Sequence, residues 1–523
     1  MNEFFLMGIV GISMIMLIWD CVEVGRNDAA NLVNAVFGAR VMARNTAVLL
    51  AGAAVILGAT FASPVMETAR KGIFDPALLS VEAAMVVYIT AYVVDTALLH
   101  TYSAFGMPVS TTASLVFELV GASLAVAWLS GVVDPIVHWD KVGTVVWAIV
   151  ISIVISGIAG WMIQRMFRGT IQDQPEDHMR LLMHGPWIAG LMFSGLSWFM
   201  VMKGLKHVPF IKALRQATFD DVGPVVMLLL LWAFFTLVVH VVLTVTRERG
   251  TRNLFRLTAV VGMICLSFAF GQNDLANCAS PGLSSLWLYR NAAEGTAAAT
   301  EVGIPMWALF ACGVLMVVGM RSKNAQRVTR AAVNTGSQYD HVALYAPKWC
   351  RRLAGVFVKK HDEEAELAPP PKRDESGKRV HFDPLRASVI MSVSASVIAL
   401  ASSSGIPVST TYVTFACVIA TGVADGVMTR GDGDRKIGRA IWTVFSWFSG
   451  ALLAVVAAGG VAALIFKFKL VGLALAIGLN LVVRKVVSTR SAEHEKQYHK
   501  NVTDPRLKSE KGGAESSEYD DEE

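Results

Sequence analysis

Two seven-residue segments, Gly25-Arg26-Asn27-Asp28-Ala29-Ala30-Asn31 and Gly271-Gln272-Asn273-Asp274-Leu275-Ala276-Asn277, share the pattern Gly-x-Asn-Asp-x-Ala-Asn. Each closes a strongly apolar run. A carboxylate at the centre of a bilayer costs roughly 2.5–3.5 kcal/mol on insertion scales, so an acid in such a run marks a functional position. On a helix, Asp28 and Asn31 fall at i, i+3 on one face, as do Asp274 and Asn277. Their carboxylate and amide oxygens, with those of Asn27 and Asn273, suit a hard cation such as Na⁺, and the amide N–H groups suit an anion. Gly25 and Gly271 are expected to break their helices, which membrane depth tolerates only in a packed or polar cavity. The plainer alternative makes Asn and Asp caps of the second half-helix. Capping does not account for two matched copies.

A second phrase also occurs twice. Gly106-Met107-Pro108-Val109-Ser110-Thr111-Thr112 matches Gly405-Ile406-Pro407-Val408-Ser409-Thr410-Thr411 except at Met107/Ile406. Proline is favoured in the first turn of a helix. Ser110, Thr111 and Thr112, and likewise Ser409, Thr410 and Thr411, then bring hydroxyls and free backbone N–H groups to a helix N-terminus. Such an end carries about half a positive charge and binds oxyanions. The plainer alternative bonds the hydroxyls back to i−4 carbonyls or to a neighbouring helix.

Further acids lie in or beside apolar runs: Asp20, Glu23, Asp95, Glu118 and Asp425. Glu23 and Glu118 are the candidates for cation coupling among them. Arg26 is expected to pair with Asp20 or Glu23, or to meet the anion. No Gly-x4-Gly-Lys-Ser/Thr phosphate loop is present, which argues against an ATP-driven pump on this chain. No nucleophile–base or metal constellation suggests an enzyme. His494 and His499 are spaced i, i+5, which does not put both on one face for zinc.

The elements that must position these residues are apolar helices. The 523 residues are 54% hydrophobic and 17% charged, with a mean hydropathy of +0.51. Soluble domains carry about 25% charged residues. Apolar runs of about 20 residues, the length that spans a bilayer, recur along the chain and define an all-α polytopic membrane protein. About 12 transmembrane segments are expected, in two inverted-topology repeats with broken helices and re-entrant hairpins. The net charge of +5 comes from Lys and Arg gathered in loops, the usual mark of cytoplasmic loops, and not from a nucleic-acid surface. The six cysteines show no paired spacing and read as buried thiols.

Taking the basic loops as cytoplasmic, the two Asn-Asp motifs enter the membrane from opposite sides, as inverted repeats do. Asp28 and Pro108 are 80 residues apart, and Asp274 and Pro407 are 133 apart. One polar stretch, 321–384, covers the excess and reads as a solvated cytoplasmic insertion carrying Lys359-Lys360 and Pro369-Pro370-Pro371. The expected organisation is a first repeat over 1–165, connecting segments over 166–254, a second repeat over 255–485, and a charged, disordered tail over 486–523.

The paired motifs resemble the inorganic phosphate transporter (PiT) family, whose hallmarks are Gly-Ala-Asn-Asp-Val-Ala-Asn in both halves and a Pro-x-Ser-Thr-Thr-His hairpin. The resemblance covers roughly 1–320 and 385–485. It implies secondary active uptake of inorganic phosphate by symport with Na⁺ or H⁺, Na⁺ favoured, through alternating access and without a further cofactor. It implies phosphate on Ser110-Thr111-Thr112 and Ser409-Thr410-Thr411. Cation coupling falls to Asp28 and Asp274 with their Asn neighbours, Na⁺ lying at Asp28, Asn31, Asp274 and Asn277. Ala113 and Tyr412 stand where the family has His, and Arg26 where it has a small residue. The implied setting is the plasma (inner) membrane of a prokaryote, with the lipid bilayer and the two ions as partners, no nucleic acid, and a homodimer as one assembly open to it. The alternatives are a permease for a related oxyanion such as sulfate, or a non-transporting membrane receptor for phosphate.

Overall fold

The computed structural model describes residues 3–62, 72–171, 178–205, 209–218, 222–291, 305–340, 342, 344–356, 358 and 378–502. Lys359-Lys360, Pro369-Pro370-Pro371 and the end of the tail beyond Val502 lie outside them. The helices are α1 (Glu3–Gly38), α2 (Arg44–Ala59), α3 (Val81–Ala104), α4 (Thr111–Ser130), α5 (Trp139–Ile171), α6 (His178–Ser197), α7 (Pro209–Thr218), α8 (Pro224–Thr246), α9 (Glu248–Arg290), α10 (Met306–Met320), α11 (Lys323–Thr335), α12 (Lys348–Ala354), α13 (Pro384–Ser403), α14 (Thr410–Ala424) and α15 (Gly433–Val502). The last consists of two helices meeting at Lys469, where φ 52° and ψ −127° interrupt the spiral.

Among the described residues, eight helices are long and apolar enough to cross a membrane, or nine if α10 and α11, bent by 70° at Arg321-Ser322, count as one. The sequence reading of about twelve differs because α2 and α14 are apolar but short, and because α15 joins two of the expected segments.

The two motif-bearing halves make matching contacts. α1 packs on α3 in the first half, and α9 on α13 in the second. Between halves, α10 lies on α1 and α2 on α9, α5 lies on α14, and the first part of α15 lies on α4. Small residues make the first of these crossings. A Cβ on Gly25 would come within 1.8 Å of Met316 O and one on Gly319 within 2.0 Å of Val22 O. At the matching crossing, a Cβ on Gly271 would fall 2.3 Å from Val55 O and one on Gly58 2.0 Å from Phe268 O. Small residues that let backbones approach this closely are how helices associate where the solvent is lipid.

Three expectations are corrected here. α1 and α9 run unbroken through Gly25 and Gly271, so these glycines serve close helix crossing and not a helix break. The 321–384 stretch is not simply solvated. Ala325, Val328, Thr329, Ala332 and Val333 of α11 are buried, at i, i+3, i+4, i+7 and i+8, an amphipathic face, and α11 packs on α1. Over 486–502 the tail is helical, held to α11 by ion pairs from Arg327 and Arg330 to Glu495.

Candidate functional site

Each Pro-Val-Ser-Thr-Thr phrase forms the turn of a helical hairpin, α3–α4 in the first half and α13–α14 in the second. The helix does not begin at the proline. Pro108 and Pro407 lie two residues ahead of the caps, Ser110 and Ser409. The Ser110 hydroxyl accepts from Ala113 N at 3.0 Å, and Ser409 accepts from Tyr412 N at 3.1 Å. These serines therefore do structural work as N-caps. Gly106 and Gly405 have φ +65° and +69°, the left-handed backbone that glycine reaches without strain, and this turns the chain out of α3 and α13.

The Asn-Asp motif of each half grips its own hairpin. Asn27 donates to Val109 O at 2.7 Å, and its carbonyl accepts from Val109 N and Ser103 Oγ, each at 3.4 Å. In the second half Asn273 donates to Val408 O at 2.6 Å and accepts from Val408 N at 3.2 Å and Ser402 Oγ at 3.4 Å. Motif and hairpin are thereby tied by an amide that replaces backbone pairing.

The carboxylates reach the other half's hairpin. Thr411 Oγ1 donates to Asp28 Oδ1 at 2.8 Å and accepts from Asn31 Nδ2 at 2.8 Å. Thr111 Oγ1 donates to Asp274 Oδ1 at 2.9 Å, and Asn277 Nδ2 lies 3.2 Å from Thr111 Oγ1 and 2.9 Å from Thr112 Oγ1. Asn31 and Asn277 also donate to their own Asp, at 2.9 and 3.0 Å. Thr112 Oγ1 donates to Val408 O at 3.0 Å, while Thr411 Oγ1 lies 3.2 Å from Val109 O. Every one of these side chains is buried. One oxygen of each acid, Asp28 Oδ2 and Asp274 Oδ2, is buried and has no hydrogen-bond partner. A buried carboxylate oxygen left unpaired is costly, so both oxygens are suited to a cation or a proton. The surrounding donors (carboxylate, amide, hydroxyl and carbonyl oxygens) form a hard set of the kind that holds alkali and alkaline-earth ions.

Two of the named acids stand apart. Glu23 is fully buried but engaged by Arg26 Nη1 at 2.9 and 3.0 Å and by Arg484. Its charge is thus offset by two guanidinium groups, and this also places Arg26 as its ion-pair partner. Glu118 accepts from Ser114 Oγ at 2.7 Å, and its second oxygen is buried and unpaired. Asp20 on α1, Asp95 on α3 and Glu118 on α4 form a cluster of mutually interacting buried acids. Tyr412 stacks on Trp447 at 3.7 Å, and Trp447 Nε1 donates to Pro108 O at 3.1 Å. It thus braces the opposite hairpin.

Sequence reasoning passed over Ser103 and Ser402. Each lies seven residues before its capping serine, so the matched spacing was there to be read. The backbone of Val109 and Val408 gave no such signal.

Two hairpins meeting head-on between paired long helices, with buried acids and hydroxyls at the junction, define a polytopic membrane permease. Residues 24–332 match the model of the phosphate transporter family, and the chain belongs to that family, which is one of permeases and not of enzymes. A protein of Pyrococcus abyssi, provisionally named a phosphate permease, is 28% identical over 447 residues, 85% of this chain and 94% of its own length. A similarly named protein of Pyrococcus furiosus is 26% identical over 448 residues, covering 85% and 92%. The solved structure of a sodium-dependent phosphate transporter superposes with a TM-score of 0.63 at 20% identity, covering 88% of this chain and all of the other. That likeness bears on the fold.

Proposed function

We propose that the protein imports inorganic phosphate by symport with a cation, Na⁺ in preference to H⁺, through alternating access of a site between its two halves. The observation that carries this reading is the exchange of hydroxyls across the halves, Thr411 on Asp28 and Thr111 on Asp274, with one carboxylate oxygen of each acid left unpaired. In this reading the acids, with Asn31 and Asn277 beside them, hold the cation, while Asn27 and Asn273 fix the hairpins that carry the threonines. The first turns of α4 and α14, with their N–H groups and threonine hydroxyls, hold the phosphate. Cation charge on the carboxylates offsets what would otherwise repel the anion, and this is the physical reason for coupling. The two halves are the inverted repeats of the transporter, and the setting is the plasma membrane of a prokaryote, in keeping with relatives from archaea. Na⁺ is favoured because the donors are oxygens and because the structural relative is named sodium-dependent.

A related oxyanion such as sulfate is the second reading, because hydroxyl and N–H donors do not by themselves select phosphate. Uptake of radiolabelled phosphate and sulfate into proteoliposomes, under imposed Na⁺ or H⁺ gradients, tests both. Phosphate accumulation driven by the Na⁺ gradient is expected. No uptake of either anion under either gradient sinks the transport reading.

A further inference from the structure

At the hairpin turn of the first half lies a small cavity of about 60 Å³ whose walls include Gly106, Arg327, Arg330, Tyr345, Arg439 and Glu495. That is several times the roughly 10–15 Å³ that one water needs. Two guanidinium groups, those of Arg327 and Arg330, converge there on one carboxylate, and Arg439 lines the same cavity. Glu495 Oε2 lies 2.9 Å from Arg327 Nε and Glu495 Oε1 2.9 Å from Arg330 Nη2, so the two arginines clasp both oxygens of an anion. Arg439 is buried and donates to Gly106 O at 2.7 Å and to Tyr345 O at 3.3 Å. Guanidinium forks of this kind are the usual receptors for carboxylate and phosphate alike. Glu495 reaches Arg327 and Arg330 from near the C-terminal end of the last described helix.

We propose that this cavity is a second anion site, taking a phosphate group in place of the Glu495 carboxylate. Glu495 is then a built-in competitor that holds the C-terminal helix on α11 when phosphate is scarce. Because Arg439 ties the cavity to Gly106, two residues before Pro108, an occupant bears directly on the turn that carries Ser110 and Thr111. The phosphate group can belong to free inorganic phosphate or to a lipid headgroup. The site stands whether or not the proposed transport is correct, since none of its residues belongs to the Asn-Asp centre.

The test uses the full-length protein in nanodiscs, with binding of radiolabelled inorganic phosphate measured in neutral phosphatidylcholine and retention of phosphatidic acid measured in mixed lipid. R327Q/R330Q is expected to lose one class of phosphate site, or of retained phosphatidic acid, while the site removed by T111A/T411A persists. E495Q is expected to tighten that same class by about tenfold, equivalent to about 1.4 kcal/mol. This gain of binding does not depend on a variant that fails to fold. Competition by phosphatidic acid assigns the site to a headgroup, and its absence assigns the site to the free anion. If phosphate binding and phosphatidic acid retention are the same in the wild type, R327Q/R330Q and E495Q, the proposal is overturned.

Discussion

At the scale of single residues, the centre is a set of amides that hold and hydroxyls that bridge. Asn27 and Asn273 saturate themselves on the hairpin backbone, and Asp28 and Asp274 keep one oxygen each in reserve. We therefore expect Asp28→Asn or Asp274→Asn to abolish gradient-driven uptake while leaving a folded protein, measured as initial rates in proteoliposomes beside size-exclusion profiles. Wild-type rates in both would show the carboxylates to be structural. Thr111→Ala and Thr411→Ala each remove a hydrogen bond to a charged group, which contributes about 1.5–3 kcal/mol. A loss of roughly tenfold or more in uptake is expected from each, and unchanged kinetics would count against the bridge. Most of this was legible in the sequence because both phrases occur twice. What the sequence withheld was the pairing: nothing in the chain order says that Thr411 meets Asp28 and not Asp274.

Helices are positioned by what they lack as much as by what they carry. The Gly25 and Gly271 positions read as breaks because a helix can break at glycine without a steric penalty, yet the helices continue and the missing side chains admit Met316 O and Val55 O. Glycine alone does not distinguish a bend from a close crossing; only the neighbouring helix does. Gly25→Ala and Gly271→Ala should each lower the thermal midpoint, since overpacking of this kind costs about 1–3 kcal/mol. Gly157→Ala, whose Cβ would meet nothing within 4 Å, should be neutral or stabilising by up to about 1 kcal/mol. Equal midpoints for all three would remove the close-crossing argument. The α11 face was readable from its i, i+3, i+4 spacing. Its many charges, Lys323, Arg327 and Arg330 among them, drew the reading toward solvent.

For the molecule as a whole, the polar region after α10 acts as a clasp on the helical body. His381 N donates to Gly38 O at 2.8 Å, and its ring meets Ser337 Oγ at 2.9 Å. Burial, with Arg40, Arg379 and Lys436 nearby, pushes its imidazole down to about 3 from 6.5. The folded protein thus keeps His381 neutral while an unfolded chain takes up a proton below about 6.5. The stability linked to this residue is whole above that pH and is lost as pH falls toward 3. Thermal midpoints followed from pH 7 to pH 4 should fall, and less steeply in His381→Asn; identical slopes would rule out His381 as the cause. The number of spans was less legible than the architecture, because a short apolar helix such as α14 and a joined pair such as α15 leave similar hydropathy traces. The crossed Thr–Asp bridges have a consequence for assembly. Neither half alone can close its own pair, since its threonine and its aspartate face outward to a mate. Each half supplies the other with what it lacks, so a chain cut between α6 and α8 should regain its centre when both pieces are made together.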